Sequence, residues 1–176
     1  MRRYFTVILL VFCSFLLQCT VFKRLNLGGI SPNLLVIVTA SIGFMRNEKS
    51  GLLVGFFSGL LVDVFFGDII GFYALLYMYI GYINGKFSRI FYPQDIKLPI
   101  ALITLSDISF GLLCYVFLYL LQGKFDFPYY MMHIILPEAV YTIVVSLLFY
   151  PLFLHIYNRL DDLDRREAEI ARQNKR

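Results

Sequence analysis

Three carboxylic acids stand where the surrounding sequence is apolar: Asp63, Asp107 and Glu138. An ionised carboxyl at the centre of a lone helix in hydrocarbon costs ~2.5–3.5 kcal/mol on insertion scales. Such groups therefore face protein, a cavity or a partner. The chemistry they offer is polar recognition. The other reactive residue types are not arranged for catalysis. His133 and His155 would lie ~33 Å apart on one helix, too far to share a site. Cys13, Cys19 and Cys114 sit in apolar runs without a CxxC spacing, and read as small packing residues. No GxSxG with a histidine in reach, Walker A loop or HExxH occurs. Asp63 and Asp107, with Gly67-Asp68 nearby, lack the rest of an intramembrane aspartyl-dyad signature. No span centre carries a lysine and no arginine ladder occurs, which excludes a voltage sensor. The reading is a non-enzymatic protein that needs no metal and no cofactor.

The elements that must position these acids are set by composition. Of 176 residues, 59% are hydrophobic and 16% charged, with mean hydropathy +0.72. Soluble domains carry ~25% charged residues. The deficit means that most of the surface does not meet water. Apolar stretches fall at about 4–22, 32–45, 51–66, 70–87, 98–121 and 130–157. About 20 helical residues cross a ~30 Å hydrocarbon core. The fold class is thus an all-α integral membrane protein, a bundle of about six transmembrane helices over residues 1–158, followed by a charged tail, 159–176. The runs are too long and too uniformly apolar for barrel strands. The first is too long for the core of a signal peptide and lacks its cleavage site, so it reads as an uncleaved helix. The second is short, and is expected to begin near Gly29 or to continue past Met45, with Pro32 in its first turn.

The basic residues give an orientation. With six spans, Arg2, Arg3, Arg46, Lys49, Lys86, Arg89, Lys97 and six tail residues share one side, thirteen in all. Lys23, Arg24 and Lys124 lie on the other. The bias places both termini in the cytoplasm and reads as topology, with no nucleic-acid footprint. Asp63 then lies ~18 Å along its helix from the cytoplasmic end, and Glu138 ~12 Å from the outer end of the last one. Both belong to the outer half, with Asp107 nearer mid-membrane. The expectation is that Asp63 and Glu138 line one outward polar pocket. The alternative is separate hydrogen bonds to Tyr, Ser or backbone in neighbouring helices, such as Tyr77, Tyr141 or Ser106.

Gly51, Gly55, Gly59 and Asp63 are spaced by four and share one helix face. Such a face lets another helix approach closely, and Asp63 caps it. Gly81 and Gly85 repeat the spacing on the next segment. Packing within the chain, and an interface with a second copy (a homo-oligomer) or a partner, are the uses of that face. Pro137 beside Glu138 frees a carbonyl and bends the last helix, a docking feature or a plain kink. Tyr4, Tyr92, Tyr129, Tyr130 and Tyr157 fall at headgroup level. The tail is a charged helix with opposite-sign pairs such as Asp162 and Arg166.

The ordered set Pro32-Asn33-Leu34, the charged turn Arg46 to Ser50, Gly51-x3-Gly55-x3-Gly59-x3-Asp63, then Gly67, Gly71, Ala74-Leu75, Tyr77, Gly81-Tyr82 and Gly85, and Pro137-Glu138-Ala139-Val140-Tyr141, resembles MreD, the rod shape-determining family of bacteria. The resemblance covers about residues 1–160; the tail matches less well. It implies a multi-pass protein of the bacterial plasma membrane and of the cell-elongation complex (the elongasome). It implies a scaffold that binds the single-span protein MreC and, through it, MreB and the peptidoglycan synthases, and so helps organise lateral peptidoglycan synthesis. Asp63, Asp107, Glu138, Pro137 and Tyr141 are its partner or pocket candidates. The family also looks like the substrate-binding S-components of energy-coupling-factor transporters, so a vitamin-binding S-component is the alternative. Those dock through small residues near the first helix, typically AxxxA, which is missing here. A membrane lipid in the pocket is a third reading.

Overall fold

A computed structural model describes the backbone of residues 2–25, 29–88, 96–123 and 125–173, and side chains within 5–25, 29–88, 96–121 and 125–163. Tyr92, Arg89, Lys124 and Gly28 lie outside the described residues, as do the side chains of Tyr4 and Arg166. The described residues form six helices and no strand. Helix α1, Arg2–Leu17, runs on through a π turn, Gln18–Phe22. Helix α2 is Leu34–Met45, α3 Glu48–Phe66 and α4 Phe72–Phe87. Helix α5, Lys97–Cys114, ends in a π turn, Tyr115–Tyr119, and a short 3-10 turn, Leu120–Gln122. Helix α6 opens as Phe127–Tyr130, widens into a π turn, Met131–Ile135, and continues over Leu136–Gln173. It passes residue 158 without a break, so the tail as far as Gln173 extends the last span as one helix.

The helices are not six equal spans. Four are long and apolar enough to cross a membrane: Phe5–Phe22, Glu48–Phe66, Lys97–Tyr119 and Phe127–Leu163. Helices α2 and α4 have 12 and 16 residues. At 1.5 Å rise these reach about 18 and 24 Å, short of a ~30 Å core. Helix α2 neither begins near Gly29 nor passes Met45. Asn33 caps it and Arg46 ends it, and Pro32 precedes the cap instead of entering the first turn.

Helix α2 is the axle of the bundle. Every residue from Leu34 to Met45 is buried, and it packs against α1, α3, α4, α5 and α6. Its sequence, LLVIVTASIGFM, is apolar on all sides, the composition of a helix with no outward face. The outer helices are two-faced. On α1, Val11 and Phe15 face inward while Phe5, Ile8, Leu9 and Phe12 are exposed. Outward apolar side chains are what a lipid solvent requires.

Helices α3 and α4 make the most extensive contact, and the glycines are the reason. A Cβ added at Gly55 would strike the Tyr77 carbonyl, and one at Gly51 or Gly81 would strike the other residue's backbone. Gly59 lies against Ala74, and Gly85 against Glu48. Gly43 of α2 joins the same seam: its Cβ would stand 2.6 Å from the Gly81 carbonyl oxygen. The four-residue glycine spacing is therefore filled within the chain by three helices.

Candidate functional site

In a bilayer each helix end buried in the bundle needs partners for its free N–H groups. Helix α4 starts at Gly71, whose φ of +101° favours glycine and which has no side chain to cap with. Asp63, three residues before the α3 end at Phe66, supplies the cap. Its carboxylate accepts from the N–H groups of Gly71 at 3.0 Å, Tyr73 at 2.8 Å and Ala74 at 2.9 Å. It is 1% exposed. Negative charge there also meets the positive end of the α4 dipole. Asp63 is thus saturated by one helix end.

The α2 N-terminus is satisfied in the same way by several elements. The Asn33 side chain accepts from Val36 N–H at 3.2 Å and from the Tyr77 hydroxyl of α4 at 2.8 Å. Gln18, in the α1 π turn, accepts from Leu35 N–H at 3.1 Å. Thr142 of α6 accepts from Asn33 N–H at 3.2 Å. The Thr142 hydroxyl in turn bonds to Asp107 on α5. A threonine hydroxyl has one proton to give and can accept two, so the relay runs Asn33 N–H to Thr142 to Asp107.

Asp107 is 4% exposed, and its Oδ1 has no hydrogen-bond partner. Glu138 precedes Thr142 by four residues and so shares its face of α6. It is half-buried and within electrostatic range of Asp107. Among the described residues neither carboxyl has a lysine or arginine beside it. No group of described residues could hold a metal ion. The candidate site is this acidic seam between α5 and α6, set against the α2 N-terminus.

The arrangement differs from the expected pocket. Asp63 and Glu138 do not meet: Asp63 is spent on the α4 backbone, and the acidic neighbour of Glu138 is Asp107. The expected hydroxyl partners also bond elsewhere. Tyr77 reaches Asn33, Tyr141 reaches the Leu25 carbonyl at 3.3 Å, and Ser106 takes the Asn84 amide at 2.8 Å. Asn33, Gln18 and Thr142 were missed from sequence. The signal for Asn33 was its place as the polar residue just before an apolar run. That for Thr142 was the spacing of four from Glu138.

Pro137 and Tyr141 come together, away from the seam, on the outer side of α6. With Ile30, Leu136, Val140 and Val144 they line an open apolar cavity of about 520 Å³. The π turn Met131–Ile135 lies just before Pro137. A wide turn absorbs the carbonyl that proline cannot pair. His133 stacks on Tyr129 at 4.3 Å and bonds its carbonyl at 3.1 Å, an exposed local contact.

The family described as rod shape-determining protein MreD matches residues 1–160, which takes in α1 to α5, most of α6 and the whole acidic seam. The chain belongs to the MreD family. MreD proteins serve rod shape determination, and the four apolar spans fit a membrane protein of that kind. No curated protein and no solved structure matches the chain. The MreD match ends within α6, so residues 161–173 of that helix lie beyond it.

Proposed function

We propose that this MreD-family chain is a non-enzymatic membrane scaffold. It binds an MreC-like single-span protein within the bilayer and so helps organise lateral peptidoglycan synthesis, MreB and the synthases being reached through that partner. The observation that carries the reading is Glu138: a half-buried acid without a basic neighbour, one residue from the Pro137–Tyr141 cavity. A lone carboxyl beside lipid gains from a donor on a neighbouring helix. A partner helix laid along α6 fills the apolar cavity and brings that donor. Asp63 and the glycines at 51, 55, 59, 81 and 85 hold the bundle that presents this face. The basic-residue bias supports six crossings with both termini cytoplasmic. Helices α2 and α4 then cross as short elements wrapped by the others.

Likeness to a vitamin-binding S-component would call for a polar cavity. The cavity beside α6 and the one between α1 and α3 are both lined almost wholly by apolar side chains, which supports the scaffold reading. Co-purification of tagged protein with the MreC-like partner tests it. Glu138→Gln and Val140→Trp are expected to reduce the recovered partner severalfold while leaving the yield of folded protein unchanged. Undiminished recovery with both variants removes α6 as the docking face. Failure of the unaltered protein to recover the partner removes the scaffold reading.

A further inference from the structure

Inside the seam between α5 and α6, Asp107 is buried and its Oδ1 meets no donor. Two contacts fix the register there. Asp107 bonds Thr142, and Gly111 stands against the Ile135 side chain. Asp107 and Gly111 are four apart on one face of α5, and Ile135, Glu138 and Thr142 share one face of α6. Glu138 therefore enters the seam between the two contacts, with its Cβ about 5–6 Å from that of Thr142. At that level the α5 face carries glycine, which leaves the Glu138 carboxyl room to reach Oδ1. The two acids lie within electrostatic range of each other.

The surroundings set how much charge this seam can hold. Among the described residues no lysine or arginine lies beside either acid. The titratable side chains in electrostatic range are Tyr77 of α4, Cys114 of α5 and Tyr130 of α6. Tyrosine and cysteine are ordinarily neutral at neutral pH. Helix α2 packs on both α5 and α6 and carries no titratable residue. With no proton, two like charges would face each other in a low dielectric without a counter-charge. With two, each carboxyl O–H would need its own acceptor, and the α2 N-terminus would meet no negative charge. One proton satisfies both demands. It makes a charge-assisted O–H···O⁻ bond, the strong kind, on the oxygen that is otherwise orphaned. The one remaining charge lies at the positive end of the α2 dipole, to which Thr142 and the Asn33 N–H connect Asp107.

We propose that Asp107 and Glu138 form a proton site: the pair holds one proton, and the bond it makes clasps α5 to α6. A divalent metal does not suit the same place. Calcium takes about 6–8 oxygens and magnesium about six, against two carboxyls and one hydroxyl here. The clasp belongs to the chain without its partner. Glu138 shares the proton through one oxygen and keeps the other for a donor on a docking helix. The clasp and the docking reading therefore stand or fall separately.

The test uses the full-length protein in detergent, without a partner, at neutral pH. Infrared difference spectra compare the unaltered chain with each variant. A carboxylic C=O band equal to one protonated group per chain is expected, shifting in D2O. Asp107→Asn and Glu138→Gln are each expected to abolish it, because an amide N–H then donates to the remaining carboxylate in place of the proton. Titration to alkaline pH is expected to remove the band and, in the same step, to lower the thermal unfolding temperature of the unaltered chain. Stability falls with rising pH wherever the folded state binds the extra proton. The two variants are expected to lack that step. Absence of the band at neutral pH overturns the proposal and leaves the seam doubly ionised or holding a cation. A band that survives either substitution also overturns it, since the acids are then protonated independently. A band that titrates away with no loss of stability removes the clasp. If one variant does not fold, the other decides alone.

Discussion

Asp63 and Asp107 are both buried aspartates on long apolar helices, yet their surroundings are opposite. Asp63 accepts three backbone N–H bonds from the start of α4. Asp107 has one hydroxyl, from Thr142, an orphan oxygen and a second acid nearby. The helix seams around them differ in the same sense. Helices α3 and α4 meet through glycine with backbones in contact, and nothing can enter between them. Helices α5 and α6 meet through side chains: a Cβ added at Gly111 would meet only the Ile135 side chain, at 3.1 Å, and no backbone. An acid inside a membrane thus has two uses. Where donors saturate it, it is architecture. Where they do not, it keeps unused hydrogen-bonding capacity inside the helix seam.

That contrast can be broken by substitution. The largest effect is expected at Gly55→Leu, where a side chain would displace the Tyr77 backbone of α4. The cost exceeds about 3 kcal/mol, the upper range of ordinary overpacking. Size-exclusion chromatography in detergent should show loss of the monodisperse species. Next is Asp63→Ala, which strands three buried N–H groups at about 1–3 kcal/mol each. Thermal unfolding in detergent should fall steeply, and Asp63→Asn should recover only part of it, since an amide offers one accepting oxygen in place of two.

Thr142→Val removes one relay atom, leaving Asn33 N–H unpaired, and should cost about 1–3 kcal/mol by the same unfolding measurement. The smallest effect on stability is expected at Asp107→Asn. Asparagine keeps an oxygen for Thr142 and removes a buried charge with no cationic partner, so the change should be under about 1 kcal/mol or slightly favourable. A destabilisation at Asp107 as large as that at Asp63 would erase the distinction between the two seams.

Much of the architecture could be read along the chain because lipid imposes it locally. Apolar runs had to be helices, and glycines at 51, 55 and 59 had to share a face. The pairing of polar groups was not readable in this way. Asn33 meets Thr142 across 109 residues and Tyr77 across 44. The motif placed Asp63 at the end of the glycine face, but the helix that it caps became visible only in the fold. The spacing of Pro137 and Glu138 showed a bend beside an acid. It did not show that the proline faces outward while the acid turns toward Asp107.

The sequence by itself determined that this protein dissolves in a bilayer, that its helices satisfy their own backbones there, and which glycine stripe would pack. Hydrophobic transfer and helix periodicity act over tens of residues, so they leave their marks in order along the chain. Only the tertiary structure decided that α2 is the enclosed axle, that Asp63 is saturated, and that Asp107 and Glu138 form the acidic seam. Those outcomes depend on which helix ends finish inside the bundle and on the donors that distant helices bring to them.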